Sequence, residues 1–168
     1  MFGDNLSVDY EIAPAHIIKE KFPNFRTSPE DLGKYCMTVI DPDFPKKVRK
    51  GDIIVAGSNM GCGHDHVHGP QAIKGSGIAA VICESTNRNF FRNSIHIGLP
   101  IVEYKGIRNK TSQGDELEID LQDGVIKNLR THEILDFAPY PDFLLEILNA
   151  DGIYPFLKRR IINGKYSA

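Results

Sequence analysis

The chain has few cysteines, three in 168 residues, and they are scattered. Cys36, Cys62 and Cys83 lie more than twenty positions apart, which excludes a disulfide framework and the close C-x-x-C spacing of a zinc or iron–sulfur site. Charge of one sign is also lacking. Twenty Lys and Arg against twenty-two Asp and Glu leave a net charge of -2, which provides no attraction for nucleic acid or an anionic membrane. No apolar run approaches the roughly 20 residues that span a bilayer. The opening MFGDNLSVDYEIAP has neither the basic segment nor the apolar stretch of a secretory signal. The expectation is a cytoplasmic protein with reduced thiols, Cys83 being buried within the apolar run AAVIC.

What is present is ordinary for a globular protein: 41% hydrophobic and 25% charged residues. A chain of this length fits one domain, 1–168, that buries about two-thirds of its unfolded surface. Repeats and low-complexity segments are absent. Polar residues and prolines dominate up to Pro29, and the segment reads as loop with a short helix from Ala15 to Lys21. In SPEDLGKYCM a cap-like Ser28, a following proline and two acids predict a helix start. Asp52 to Ala56 reads as a buried strand, followed by the glycine-rich GSNMGCGHDHVHG and a helix through Gln71 to Lys74 that ends at Gly75 and Gly77. AAVIC, NRNFFRNSIHIG and LPIVEY continue as strand, helix and strand, the order of a parallel sheet with crossover helices. After Tyr104 the pattern changes. GDELEIDLQDGVI alternates strictly around an Asp-Gly turn and predicts an antiparallel hairpin, THEILDF adds a strand, and two amphipathic helices broken at Asp151-Gly152 close the chain.

Candidate chemistry concentrates in the glycine-rich stretch. Gly57, Gly61, Gly63 and Gly69 surround a strand-to-helix junction, where free backbone N–H groups and a helix dipole favour an anion. The spacing is neither G-x-G-x-x-G nor a P-loop, so the anion is as well a carboxylate as a phosphate, and a purely structural turn remains open. His64, Asp65, His66 and His68 fall inside it. On an extended strand the three histidines would face one way and suit zinc, copper or nickel; on a helix only His64 and His68 would lie one turn apart. A histidine is also the natural base near neutral pH, and a neighbouring carboxylate such as Asp65 orients it.

These blocks, in this order, resemble the small subunits of 3-isopropylmalate dehydratase and homoaconitase, which are similar to the carboxy-terminal swivelling domain of aconitase. FGDN is similar to the family's opening, NFRTSPEDLGKYCM to its specificity loop and helix, and DPDFPKKVRKGDIIVAG to its lead-in strand. GIAAVICESTNRNFFRNSIHIGLPIVE resembles the later strand–helix–strand block, and GDELEIDL and FLLEILNADGIYPFLKRR also fit. The resemblance implies an α/β fold of the β/β/α swivelling type, with a mixed-sheet core, flanking helices and a β-rich appendage. It implies a hydro-lyase or isomerase subunit of leucine biosynthesis, active only with a large subunit that carries a [4Fe-4S] cluster, so that none is bound by this chain. The implied substrate is a hydroxy-di- or tricarboxylic acid, and self-association of the isolated chain stays open.

The family writes G-x-x-F-G-x-G-S-S-R-E after the strand. Here His64 stands at its catalytic serine, Asp65 at its second serine and His66 at its carboxylate-binding arginine. His64 and Asp65 are the expected catalytic residues. Arg26, Thr27, Gly61, Cys62, Gly63 and His66 are the expected substrate contacts, Arg26 at the family's specificity loop. An imidazole in place of a serine suits proton abstraction, while His66 offers weaker, pH-dependent recognition of a carboxylate than a bidentate arginine. By analogy with the family alone, a substituted malate such as 2,3-dimethylmalate is a candidate substrate. Asp9 keeps one of the family's paired opening aspartates and Ser7 replaces another; Arg92 and Asn93 read as structural or interface residues. The alternative is a non-catalytic swivelling-domain protein that binds a metal or small anion through His64, His66 and His68.

Overall fold

Three short runs of aliphatic residues, β1 (Ile53–Ala56), β2 (Ala80–Cys83) and β3 (Ile101–Glu103), form a parallel sheet in that order. Ile54 pairs with Val81, and Val81 with Ile101. Side chains alternate between the two faces of a strand, and here both faces are apolar. Ile54, Ala56, Val81, Cys83 and Ile101 enter one buried cluster, Val55, Ile82 and Val102 another. These coordinates are a computed structural model that describes residues 1–24, 27–162 and 164.

The second cluster is completed by an antiparallel sheet of β4 (Leu117–Asp120), β5 (Val125–Asn128) and β6 (Ile134–Asp136). Its inner face presents a row of paired residues, Ile119 opposite Ile126 and Ile126 opposite Leu135. Ile126 and Leu135 are buried with Val55, Ile82 and Val102. The parallel and antiparallel strands therefore lie in separate sheets, stacked on each other.

Helices cover the remaining face. The helices among the described residues are α1 (Ala15–Lys21), α2 (Pro29–Gly33), α3 (Phe44–Lys47), α4 (His68–Gly75), α5 (Arg88–His96), α6 (Ile107–Lys110), α7 (Asp142–Asn149) and α8 (Ile153–Ile162); α6 lies apart from that face, with its Ile107 buried in the second cluster. The layers are β, β and α, as the resemblance implies. Ser28 starts α2 through a capping box: its Oγ accepts from the Asp31 N–H at 3.1 Å, and the Asp31 carboxylate accepts from the Ser28 N–H at 3.5 Å. Such a cap contributes about 1 kcal/mol. α2 and α4 touch backbone to backbone, since a Cβ on Gly75 would lie 1.7 Å from the Pro29 carbonyl oxygen. α7 and α8 bury Ile147, Ala150 and Phe156 against Ile95 of α5. The turn between them uses positive φ at Asp151 (68°) and Gly152 (112°), at the predicted helix break.

The expected elements recur with shifts of a few residues at most. Three short ones do not appear in the sequence reading: α3, α6 and a π-helical turn, Val8–Ile12, inside the segment read as loop. Four- and five-residue turns are too short to show a hydrophobic period. The π-turn is held instead by Ser7, whose carbonyl accepts from the N–H groups of Glu11 (3.2 Å) and Ile12 (3.0 Å).

Candidate active site

The turn from Gly57 to Val67, between β1 and α4, is clamped on two sides by backbone. On one side runs the segment that precedes the π-turn. Asn5 N–H donates to Ser58 O (2.8 Å), Gly61 N–H to Leu6 O (2.8 Å), Cys62 N–H to Leu6 O (3.1 Å), and Val8 N–H to Cys62 O (2.8 Å). On the other side Met60 N–H donates to Ser85 O (2.9 Å) and Asn87 N–H to Met60 O (2.8 Å). Gly61 has φ +73°, and a Cβ there would lie 2.0 Å from the Phe90 ring, so the chain can pass only as glycine. Gly63, at φ +96°, then swings His64 over the π-turn.

There Asp9 receives three hydrogen bonds. Oδ2 accepts from the His64 N–H at 3.0 Å and lies 2.9 Å from His64 Nδ1; Oδ1 lies 2.9 Å from His66 Nδ1. The two rings stack at 15° with centroids 5.7 Å apart, and the His68 ring stands edge-on to His66 at 6.1 Å. Partial burial pushes the Asp9 carboxyl upward, but the His64 backbone N–H and both rings outweigh it and hold it below the usual carboxylate range. Burial, aided by nearby His66, lowers His68. His64 itself is 81% exposed and directs its free edge to solvent.

The expected orienting carboxylate, Asp65, does not reach His64. Its Oδ1 accepts from Asn93 Nδ2 of α5 at 2.7 Å, and Asp9 occupies the position that adjacency had suggested for Asp65. Neighbouring residues in a tight turn point apart. Asp9, fifty-five positions away, is brought in by the backbone clamp. Its only sequence signal is its place in the paired-aspartate opening. Asp4, also in that opening, accepts from the Ser58 N–H (2.8 Å) and pairs with Arg108 (3.4 Å), which makes it a brace for the turn.

Of the expected substrate contacts, Gly61 and Cys62 have their amides occupied by Leu6 O and cannot offer them to an anion. Gly63 shapes the turn, and Thr27 makes no hydrogen bond to it among the described residues. Arg26 lies outside the described residues. The first turn of α4 leaves N–H groups without intrahelical partners nearby, with Pro70 contributing none. Two hollows lie elsewhere. One of about 220 Å³ is lined by Phe91, Ile95, Leu144 and Ile147, and one of about 630 Å³ by Phe2, Ile40, Glu84 and Arg108. The histidine turn belongs to neither and is open surface.

Among the described residues no group of three His, Cys, Asp or Glu is arranged to hold a metal ion. Nδ1 of both His64 and His66 faces Asp9, which leaves Nε2 of each ring for any other partner. The thiols do not suit an iron–sulfur cluster either. Cys36 and Cys83 are buried, and burial pushes each up to about 12, which opposes the thiolate that a cluster needs.

Comparison with known proteins decides the family: residues 7–106 match the model of the aconitase C-terminal domain. The chain belongs to that family. Among similar members, the isopropylmalate/citramalate isomerase small subunit of Methanocaldococcus jannaschii is 49% identical over 95% of this chain and 91% of its own length. A 3-isopropylmalate dehydratase small subunit of Thermotoga maritima is 46% identical over 94% of this chain and 91% of its own. The crystal structure of a 3-isopropylmalate dehydratase from M. jannaschii superposes with a TM-score of 0.83 at 36% identity, covering 98% of this chain and 93% of that one. For this aconitase C-terminal domain, no described helix is long and apolar enough to cross a membrane.

Proposed function

We propose that the chain is the small subunit of a heteromeric, cytoplasmic hydro-lyase of the 3-isopropylmalate dehydratase type. The observation that carries this is the exposed His64, braced by Asp9 on the turn where the family places its base. His64 takes the proton from the substrate carbon, and the electron pair of the broken C–H bond becomes the C=C bond as hydroxide leaves. Rehydration reverses these steps. The large subunit is to supply a [4Fe-4S] cluster, whose chemistry is Lewis-acid activation of the leaving hydroxyl; no residue described here substitutes for it. His66 meets a substrate carboxylate, and Arg26 is to read the distal one. Asp65, through Asn93, holds the turn rather than the proton.

Several points support the reading. Members of the family 41–49% identical are named as dehydratase or isomerase small subunits. The histidine turn is surface that a second subunit can close over, which would exclude water and strengthen its electrostatics. The substrates in those names, isopropylmalate and citramalate, are malates substituted on carbon, and 2,3-dimethylmalate belongs to the same class. The test is to purify the tagged chain anaerobically from its host and identify what accompanies it. A brown large subunit of the aconitase family, with hydratase activity on a substituted malate, is expected. His64→Ala should abolish turnover, at least the 10²-fold typical of a lost general base, while the two subunits still co-purify. Full activity in that variant removes the base assignment.

A further inference from the structure

We infer that Asp9 is a positioning residue that locks both loop histidines in one tautomer, so that one Nε2 edge can hold a carboxylate while the other accepts a proton. The inference deepens the proposed function and rests on it for its catalytic meaning, but its geometry stands alone.

Two of the Asp9 contacts are to ring nitrogens, one on each oxygen, both at 2.9 Å. An ionised carboxylate can only accept hydrogen bonds. Each Nδ1 must therefore carry a hydrogen, whatever the charge of the ring. Free histidine side chains in water favour the opposite arrangement, with the hydrogen on Nε2, so the site reverses the default on two rings at once. In a five-membered ring, Nε2 then lies on the side away from Asp9. Because the rings are within 15° of parallel and 5.7 Å apart, the two Nε2 atoms face outward side by side.

A carboxylate placed outside that pair is held by a protonated ring, since only an Nε2–H can donate to it. With one ring protonated, its Nε2–H donates to the bound carboxylate. The neutral ring keeps a lone pair on Nε2, where it accepts a proton from carbon. The more exposed His64, at 81%, suits the acceptor role, and His66, at 54% and braced by His68, the donor role. Asp65 is held by Asn93, and Glu11 accepts from the Ser7 N–H at 2.7 Å. One carboxylate thus sets two functions, which a serine and an arginine perform separately in the family that this chain resembles.

The test uses the full chain, labelled with ¹⁵N-histidine, and two-bond ¹H–¹⁵N correlation spectra assigned with His64→Gln and His66→Gln. In alkaline buffer, with the rings neutral, both are expected in the Nδ1–H form. In Asp9→Ala both should revert to mainly Nε2–H, with Asp9→Glu restoring the wild-type pattern on at least one ring. Far-ultraviolet circular dichroism of each variant establishes that the fold is kept. Malonate added in mildly acidic buffer should shift the Nε2 resonance of at least one ring in the wild type and of neither in Asp9→Ala. Wild-type rings in the Nε2–H form, or tautomers indifferent to Asp9, overturn the inference; Nε2 resonances that ignore malonate overturn its carboxylate half. Neither readout involves turnover, so the inference can fail while the hydro-lyase reading stands, and the reverse.

Discussion

Gly75→Ala sets two effects against each other, and the structure decides between them. Gly75 lies in α4 at an ordinary helical φ, where alanine is the better helix former by about 1 kcal/mol. Propensity alone therefore predicts a more stable protein. The added Cβ, however, would sit 1.7 Å from the Pro29 carbonyl oxygen, 2.2 Å from its carbon and 2.9 Å from the Glu30 nitrogen. All three are backbone atoms at the start of α2, inside the first turn organised by the Ser28 cap. No side chain is there to swing away. Ordinary contact begins at 3.4 Å, so the helices would have to part by about half of that distance. Moving them opens space beside Leu32, Ala72 and Ile73, each 0% exposed. Overpacking costs about 1–3 kcal/mol where neighbours can shift, and a rigid backbone neighbour belongs at the upper end. After the propensity gain, a net loss of about 2 kcal/mol is expected. For a chain of this size that lowers the melting temperature by about 4–8 °C. Urea denaturation followed by circular dichroism measures it. A variant as stable as the wild type, or more so, would refute the backbone-contact argument.

Ile126→Ala removes the centre of the row that joins the two sheets, at 0% exposure, and should cost about 2–5 kcal/mol in the same assay. The Arg130 guanidinium, followed by the Ser112 N–H, holds the Asp115 carboxyl well below its usual range. Its contribution is complete above the unfolded carboxylate value of about 4 and disappears as pH falls through the folded one. The stability lost in Asp115→Asn should therefore be constant near neutrality and vanish in acid; a gap that widens in acid would contradict the pairing. A thiol reagent at pH 8 should label Cys62 alone in the native protein and all three cysteines after denaturation, because Cys36 and Cys83 are buried and pushed up to about 12. Rapid labelling of two or more native thiols would contradict that burial.

The elements legible in the sequence were those whose signal is local. The aliphatic runs of β1 to β3, the Ser28 cap and the Asp-Gly hairpin each declare themselves within a few residues, and each is found. The stacking of the antiparallel sheet on the parallel one is not local. It depends on Ile126 and Leu135 meeting Val55, Ile82 and Val102, and came only through resemblance to a family. In the site, the histidines were visible as a cluster, but their partner was not. Adjacency points to Asp65, whereas a turn with positive φ at Gly61 and Gly63 sends consecutive side chains in different directions. Likewise, the glycine-rich spacing suggests Gly61 and Cys62 as substrate contacts, but it does not reveal that Leu6 O accepts from both amides.

The clamp around the histidine turn holds main chain, not side chain: Leu6, Val8, Ser85 and Asn87 grip it through N–H and C=O groups that every residue but proline possesses. Its shape therefore demands glycine at the crowded points and little else. Positions 64 and 66 sit beyond that grip, near the crest of the turn, where one residue type can be exchanged for another without rebuilding the backbone support. Reaction chemistry and folding are written in different letters of the same segment. New acids, bases and anion binders can thus be placed at those two positions while the backbone support of the turn stays as it is.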